Sequence, residues 1–151
     1  MPKDKVFVGG DHAGYALKKQ VLEHLSTAFP QMEFKDCGTD SEQSVDYPDY
    51  ARKVADAVVK QSARGILICG SGIGVSIAAN KVNGIRAALC SDSTSARLSR
   101  EHNDANILCL GARLVGVEVA LDVCRTWLTT AFQSGRHQRR VDLIRKLETG
   151  A

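Results

Sequence analysis

The stretch Gly65-Ile66-Leu67-Ile68-Cys69-Gly70-Ser71-Gly72-Ile73-Gly74-Val75-Ser76 decides the fold. Its first five residues are apolar at every position, not at alternate ones. Such a run reads as a strand buried on both faces, which is the habit of parallel sheets. A turn with three glycines and two serines follows. The chain then enters a helix through Ile77-Ala78-Ala79-Asn80. Working outward, the same alternation continues on both sides. Upstream, Val6-Phe7-Val8-Gly9 reads as a strand and Leu17, Val21, Leu22 and Leu25 as one helix face. Met32 to Asp36 is a half-exposed strand, and Tyr50 to Val59 is a helix with Ala51, Val54, Ala55 and Val58 on one side. Downstream come a strand at Ile85–Cys90, a helix at Ala96–Arg100 and a strand at Ile107–Leu110. Amphipathic helices at Val117–Leu128 and Val141–Leu147 close the chain.

A repeating β-α pattern of this kind predicts an α/β fold: a doubly wound, Rossmann-like sheet of five parallel strands with helices on both faces. No linker, internal repeat or low-complexity tract interrupts it, so one domain over residues 1–151 is expected.

The totals exclude several classes. Twenty basic residues stand against 17 acidic ones, a formal net charge of +3, too balanced for general nucleic-acid binding. No apolar run approaches the roughly 18 residues that cross a membrane. Met1 leads straight into a strand-like segment without a signal-peptide pattern, which predicts a cytoplasmic protein. The five cysteines form no Cys-x-x-Cys pair and are odd in number, so neither a disulfide framework nor a zinc site is expected. Four of them sit in or beside apolar segments, where a thiol is ordinarily a small buried hydrophobe.

Ligands of open α/β sheets bind beyond the carboxyl ends of the strands, at the switch point. Asp11-His12 follows the first strand and Cys69-Gly70-Ser71 the third, and these strands are neighbours in a common doubly wound order. The Gly70–Ser76 turn can present backbone N–H groups and a helix N-terminus to an anion. It is not a phosphate-binding P-loop, because no Gly-Lys-Ser/Thr follows. A dinucleotide fingerprint would place its third glycine where Val75 stands, although Asp92 lies 20 residues past Gly72, where a ribose-binding acid would. Cys69, just before the helix, occupies a position that favours a thiolate, and Ser71 is within reach of the same space. His102-Asn103-Asp104 follows the fourth helix, which runs back across the sheet. His102 is therefore expected near the opposite edge, reaching a neighbouring subunit's site if it is catalytic. Arg136 and Arg140 are four apart and face one way on a helix, as a phosphate clamp would, and Arg113 follows the fifth strand at the ligand-binding edge.

Taken together, several stretches resemble the type B ribose-5-phosphate isomerases, in the wider group that includes galactose-6-phosphate isomerase subunits. They are Gly10 to Lys18, Asp36-Cys37-Gly38-Thr39, Asp46-Tyr47-Pro48, Gly65 to Lys81, Gly84-Ile85-Arg86-Ala87, Arg100 to Asn106, Leu110 to Arg113 and Gly135 to Val141. The resemblance implies interconversion of D-ribose 5-phosphate and D-ribulose 5-phosphate through an enediolate, without metal or other cofactor. It implies a homodimer or higher homo-oligomer with active sites at the interface, the helix at about 139–148 packing on a partner subunit. By motif position, Cys69 is the base and the amides from Gly70 through Gly72 and Gly74 to Ser76 hold the enediolate. Ser71 assists proton transfer between the oxygens, and Asp11 and His102 open the sugar ring. Tyr47 and Asn103 contact the sugar, while His12, Arg113, Arg136 and Arg140 hold the phosphate. Relatives without the cysteine use a glutamate after the glycine loop; Val75 stands there, so Cys69 is the expected base. The galactose-6-phosphate subunits divide such residues between two chains, whereas this chain carries the whole set. Turnover of a six-carbon sugar phosphate, or a non-catalytic phosphosugar- or nucleotide-binding module, are the alternatives.

Overall fold

The computed structural model describes residues 2–150; Met1 and Ala151, the ends of the expected domain, lie outside them. The strands are β1 (Asp4–Gly10), β2 (Met32–Asp36), β3 (Arg64–Cys69), β4 (Ala87–Leu89) and β5 (Ile107–Gly111). The helices are α1 (Tyr15–Ala28), α2 (Tyr47–Gln61), α3 (Ile73–Ala79), α4 (Ser93–Asn103), α5 (Val117–Thr129) and α6 (Arg136–Leu147), with a short 3-10 turn at His12–Gly14. All strand pairs are parallel, in the order β2-β1-β3-β5-β4, so the expected fold is the observed one.

Successive residues of the inner strands serve opposite cores. Val6, Val8, Ile66, Ile68, Leu108 and Leu110 face α1, α4 and α5, where Leu25, Ala96, Cys124 and Trp127 complete the packing. Phe7, Leu67, Cys69, Ile107 and Cys109 face α2 and α3, meeting Val54, Ala55, Val58 and Val75. Burial on both faces is why β3 reads as a continuous apolar run and not as an alternating one.

Several element boundaries differ from the sequence-based expectation, α6 by starting at Arg136 and not Val141, and three of the differences have a clear local reason. Helix α2 begins at Tyr47, not Tyr50, because Pro48 sits in its first turn, where its fixed φ is compatible and no N–H is needed. Strand β4 is shorter than Ile85–Cys90, because the Ile85 N–H is donated to Val82 O and that of Arg86 to Asn106 Oδ1. Helix α4 extends to Asn103, so His102 and Asn103 are its last turn and do not follow it. Asp92 caps its start, Oδ1 accepting the Ser95 N–H at 2.7 Å, and Asp104 ends it in a left-handed conformation with φ 46°. That capping role also accounts for the acid 20 residues past Gly72.

In this order the chain leaves β1 on one side for β2 and returns on the other to β3. The carboxyl ends of β1 and β3 therefore form the switch point. Their register pairs Gly10 with Ile68, which sets Asp11 beside Cys69 at one edge.

Candidate active site

Asp11 leaves β1 and turns at once. Its buried side chain accepts the N–H groups of Ala13 and Gly14 through Oδ1, at 3.0 and 3.2 Å. This turn fixes the carboxylate and starts the 3-10 segment ahead of α1. His12 is half-buried, and its Nδ1 accepts the Val45 N–H at 3.1 Å. A neutral ring so engaged carries its proton on Nε2.

Cys69 ends β3 with 5% exposure. The chain then folds back over β5: Ala112 N–H donates to Cys69 O and Arg113 N–H to Gly70 O, both at 2.9 Å. Gly72, the N-cap of α3, has φ 77°, which glycine alone adopts without cost. The Gly72 N–H donates to Cys69 Sγ, 3.2 Å away, while the Ile73 N–H donates to Ser71 Oγ at the same distance. Ser76 lies further along α3 and donates its hydroxyl to Ile73 O at 2.7 Å. Gly74 is needed for another reason: a β-carbon there would stand 2.5 Å from two carbons of the Tyr47 ring.

Asp11, Tyr47, Cys69, Ser71, Gly74 and Arg113 all line one cavity of about 540 Å³, together with Gly70 and the apolar Ile73, Ile77 and Leu114. It joins a carboxylate, a thiol, a hydroxyl, a phenol and a guanidinium at the switch point, which suits a small anionic polyol. Among the described residues no group of three or more His, Cys, Asp or Glu side chains is placed to hold a metal ion.

The other cysteines sit in different surroundings. Burial pushes the Cys124 thiol up to about 12, and raises Cys109 further still. Burial also raises Cys90, whose Sγ lies 3.8 Å from Ala88 O, and half-buried Cys37, with help from the Asp36 carboxylate. Cys69 is the thiol of the cavity.

His102, Asn103, Arg136 and Arg140 do not line this cavity. Helix α4 runs from the carboxyl edge back to the amino edge, carrying His102 and Asn103 with it. Asn103 borders a separate groove of about 670 Å³ with Arg86, Ile144 and Leu147. Arg136 and Arg140 are exposed at the start of α6, and His137 between them stacks on His102. Within one chain the candidate residues thus form two groups.

Lys18 is a residue to which the sequence reading assigned no role. It is 1% exposed, and Nζ donates to both Asp36 carboxylate oxygens (2.8 and 3.0 Å) and to Thr39 O (2.6 Å). The clamp ties α1 to the loop after β2, the loop that also carries Val45 and leads into α2 at Tyr47. Two quoted motifs, Gly10–Lys18 and Asp36–Thr39, meet here; apolar periodicity gives no signal for a buried lysine, and only the pairing of the motifs could have suggested it.

Among the described residues no helix is long and apolar enough to cross a membrane. A family model for Ribose/Galactose Isomerase matches residues 6–144. Ribose-5-phosphate isomerase B of Escherichia coli is 48% identical over 145 residues, covering 95% of this chain and 96% of that one. Among solved structures, ribose-5-phosphate isomerase B of Clostridium thermocellum superposes with a TM-score of 0.93 at 53% identity, covering 97% of this chain and 98% of the other. The Mycoplasma genitalium ribose-5-phosphate isomerase B, solved with bound ribulose-5-phosphate, gives 0.94 at 42% identity over the full length of both chains. Matched over nearly its whole length in sequence and in fold, the chain belongs to the ribose/galactose isomerase family.

Proposed function

We propose that this protein interconverts D-ribose 5-phosphate and D-ribulose 5-phosphate, with Cys69 as the acid/base. The observation that carries the reading is the Cys69 sulfur, which faces a backbone N–H inside a cavity that also holds Asp11, Ser71, Tyr47 and Arg113.

Isomerisation removes a proton from C2 of the open aldose and returns one to C1, through an enediolate. In this reading the Cys69 thiolate takes the C2 proton and, as the thiol, delivers it to C1. Backbone N–H groups of the Gly70–Ser76 turn, with the N-terminus of α3 behind them, hold the negative charge that develops on the oxygens. The Ser71 hydroxyl carries the proton that must move between O1 and O2. Asp11, with His102, serves opening of the furanose; Tyr47 and Asn103 hold the sugar; His12 and Arg113, with Arg136 and Arg140, hold the phosphate. A phosphate fixed far from C1 and C2 orients the reacting carbons.

His102, Asn103, Arg136 and Arg140 fit this scheme when they come from a second copy, so the working unit is a homodimer or a larger homo-oligomer with sites at the interface. Exposed apolar side chains support that arrangement. Ile73 and Ile77 on α3 are 50% and 58% exposed beside the cavity, and Leu147 on α6 is 76% exposed. Single exposed apolar side chains are ordinary, but a row beside a half-built site fits a covered face. In this arrangement α6, the helix expected at about 139–148, packs on the partner.

The test is ribulose 5-phosphate formation from ribose 5-phosphate by wild type and Cys69→Ala, with EDTA present. Activity that survives EDTA and disappears in a folded variant that still binds phosphosugar supports the reading. An inactive wild type that turns over allose or galactose 6-phosphate would replace the substrate, and binding without turnover of any sugar phosphate would replace the activity.

A further inference from the structure

The imidazoles of His102 and His137 lie 4.3 Å apart, centroid to centroid, with 14° between their planes. Three features hold His137 in that place. Ser134 and Gly135 both have positive φ, 61° and 54°, and turn the chain sharply into α6. Within that turn the His137 N–H donates to Ser134 O at 3.0 Å, and the Gln133 N–H donates to Glu101 O, next to His102, at 3.1 Å. His137 and Val141, one turn apart, are the two buried residues of α6, so the same face that anchors the helix carries the ring. His102, by contrast, is half-buried in the last turn of α4.

We infer that His137 is a positioning residue: its ring forms the platform that holds the His102 imidazole in the orientation used for opening the sugar ring. The inference rests on the reading of His102 given above and adds a residue to it. A histidine in the last turn of a half-exposed helix samples several rotamers, and an acid that must reach one ring oxygen loses rate in proportion. Stacking removes that freedom on one face and leaves the other face and the ring edge open. The platform has to stay uncharged, because two stacked imidazolium rings repel. Burial, His102 itself, Arg136 and Arg140 hold His137 below the ordinary histidine range, with Glu101 opposing them. Glu101 is itself engaged by Arg97 at 2.6 Å. These groups disfavour a proton on His137, which lies under the ring that exchanges protons.

The experiment compares His137→Ala, His137→Phe and His102→Ala in the full-length protein. His137→Ala should lower kcat for ribose 5-phosphate by on the order of tenfold or more, with KM moved less than about threefold. His137→Phe keeps the flat ring and should recover most of the loss. Exchange of the C1 hydrogen of ribulose 5-phosphate with deuterated solvent needs proton abstraction but no ring opening, so it should persist in His137→Ala. The upfield ring-current shift of the His102 imidazole proton should disappear in His137→Ala and return in His137→Phe. Wild-type kcat in His137→Ala beside an impaired His102→Ala would overturn the inference while leaving the role of His102 intact. So would equal loss of exchange and isomerisation, which marks a general structural defect. Full activity of His102→Ala would remove the reading of His102 itself and the platform with it.

Discussion

The amide of Gly72 points at the sulfur of Cys69 across 3.2 Å, and the φ of 77° at Gly72 turns the chain from that amide into α3. A β-carbon at residue 72 would meet Leu89 Cδ1 at 2.5 Å and the Leu110 carbonyl carbon at 2.8 Å. Gly72→Ala therefore combines a left-handed penalty of about 1–2 kcal/mol with a clash against β5 backbone that cannot move aside. The expected result is a stability loss of at least about 2 kcal/mol in urea unfolding, since strain and overpacking add. Among molecules that remain folded, kcat should fall by on the order of a hundredfold to a thousandfold, the usual effect of losing one donor from an anion hole. Unchanged kcat in the folded fraction would mean that this amide does not serve the reaction.

Gly74 makes a different prediction, because its neighbour is a side chain. Here the Tyr47 ring occupies the space that a β-carbon would need, and the ring is 39% exposed and free to swing outward. Gly74→Ala should cost little stability, since alanine suits a helix better than glycine by about 1 kcal/mol. It should instead move Tyr47 out of the cavity and raise KM for ribose 5-phosphate. Tyr47→Phe, which keeps the ring and removes the hydroxyl, separates contact from shape. A crystal structure of Gly74→Ala with Tyr47 unmoved would refute the account.

Lys18 carries a third. Lys18→Met removes the donor shared by Asp36 and Thr39 O, leaving the carboxylate half-solvated and the buried carbonyl unpaired. Breaking a buried pair costs about 3–5 kcal/mol, and because Asp36 is half-exposed the expected loss is nearer 2–3 kcal/mol. Adding Asp36→Asn should restore part of it, because the uncompensated charge is gone. Denaturant midpoints of the two singles and the double give the coupling directly; strict additivity would show that the two groups do not depend on each other.

The fold was legible because each inner strand is buried on both faces and each strand-to-helix turn is punctuated. Gly65–Cys69 could be read as a strand without knowing its neighbours, and Cys69, Ser71 and Asp11 followed from their places at strand ends. The strand order beyond β1 and β3 was not legible, because nothing in Ile85–Cys90 or Ile107–Leu110 says which is the edge. The end of α4 was misplaced because Asp104 stops the helix by adopting a left-handed conformation, which glycine more often supplies. The His102–His137 stack was out of reach for another reason: it depends on the turn at Ser134-Gly135, and no periodicity connects residues 35 apart. The direction of α4 carries His102 away from Cys69, and that much was expected; nothing in the sequence sets Arg136 and Arg140, on α6, apart from Arg113.

The buried thiols predict a one-sided pH dependence of stability. Cys124 is pushed up to about 12 by burial, and Cys109 is raised as well. In the unfolded chain both titrate near ~8.5. Below that range the thiols are neutral in both states and contribute no pH dependence. Above it the unfolded chain releases their protons while the folded chain keeps them, so stability falls as pH rises. The slope is about 1.4 kcal/mol per pH unit for each thiol, continuing for Cys124 toward its folded value. Tyrosines and lysines ionise in the same range, so the informative comparison is between proteins at matched pH. Cys109→Ala/Cys124→Ala should lose less stability than wild type between pH 8 and pH 10, by up to about 3–4 kcal/mol, measured by urea unfolding under reducing conditions. Parallel pH profiles for the two proteins would mean that both thiols ionise without unfolding, and that the sheet around β5 is more permeable to water than its packing indicates.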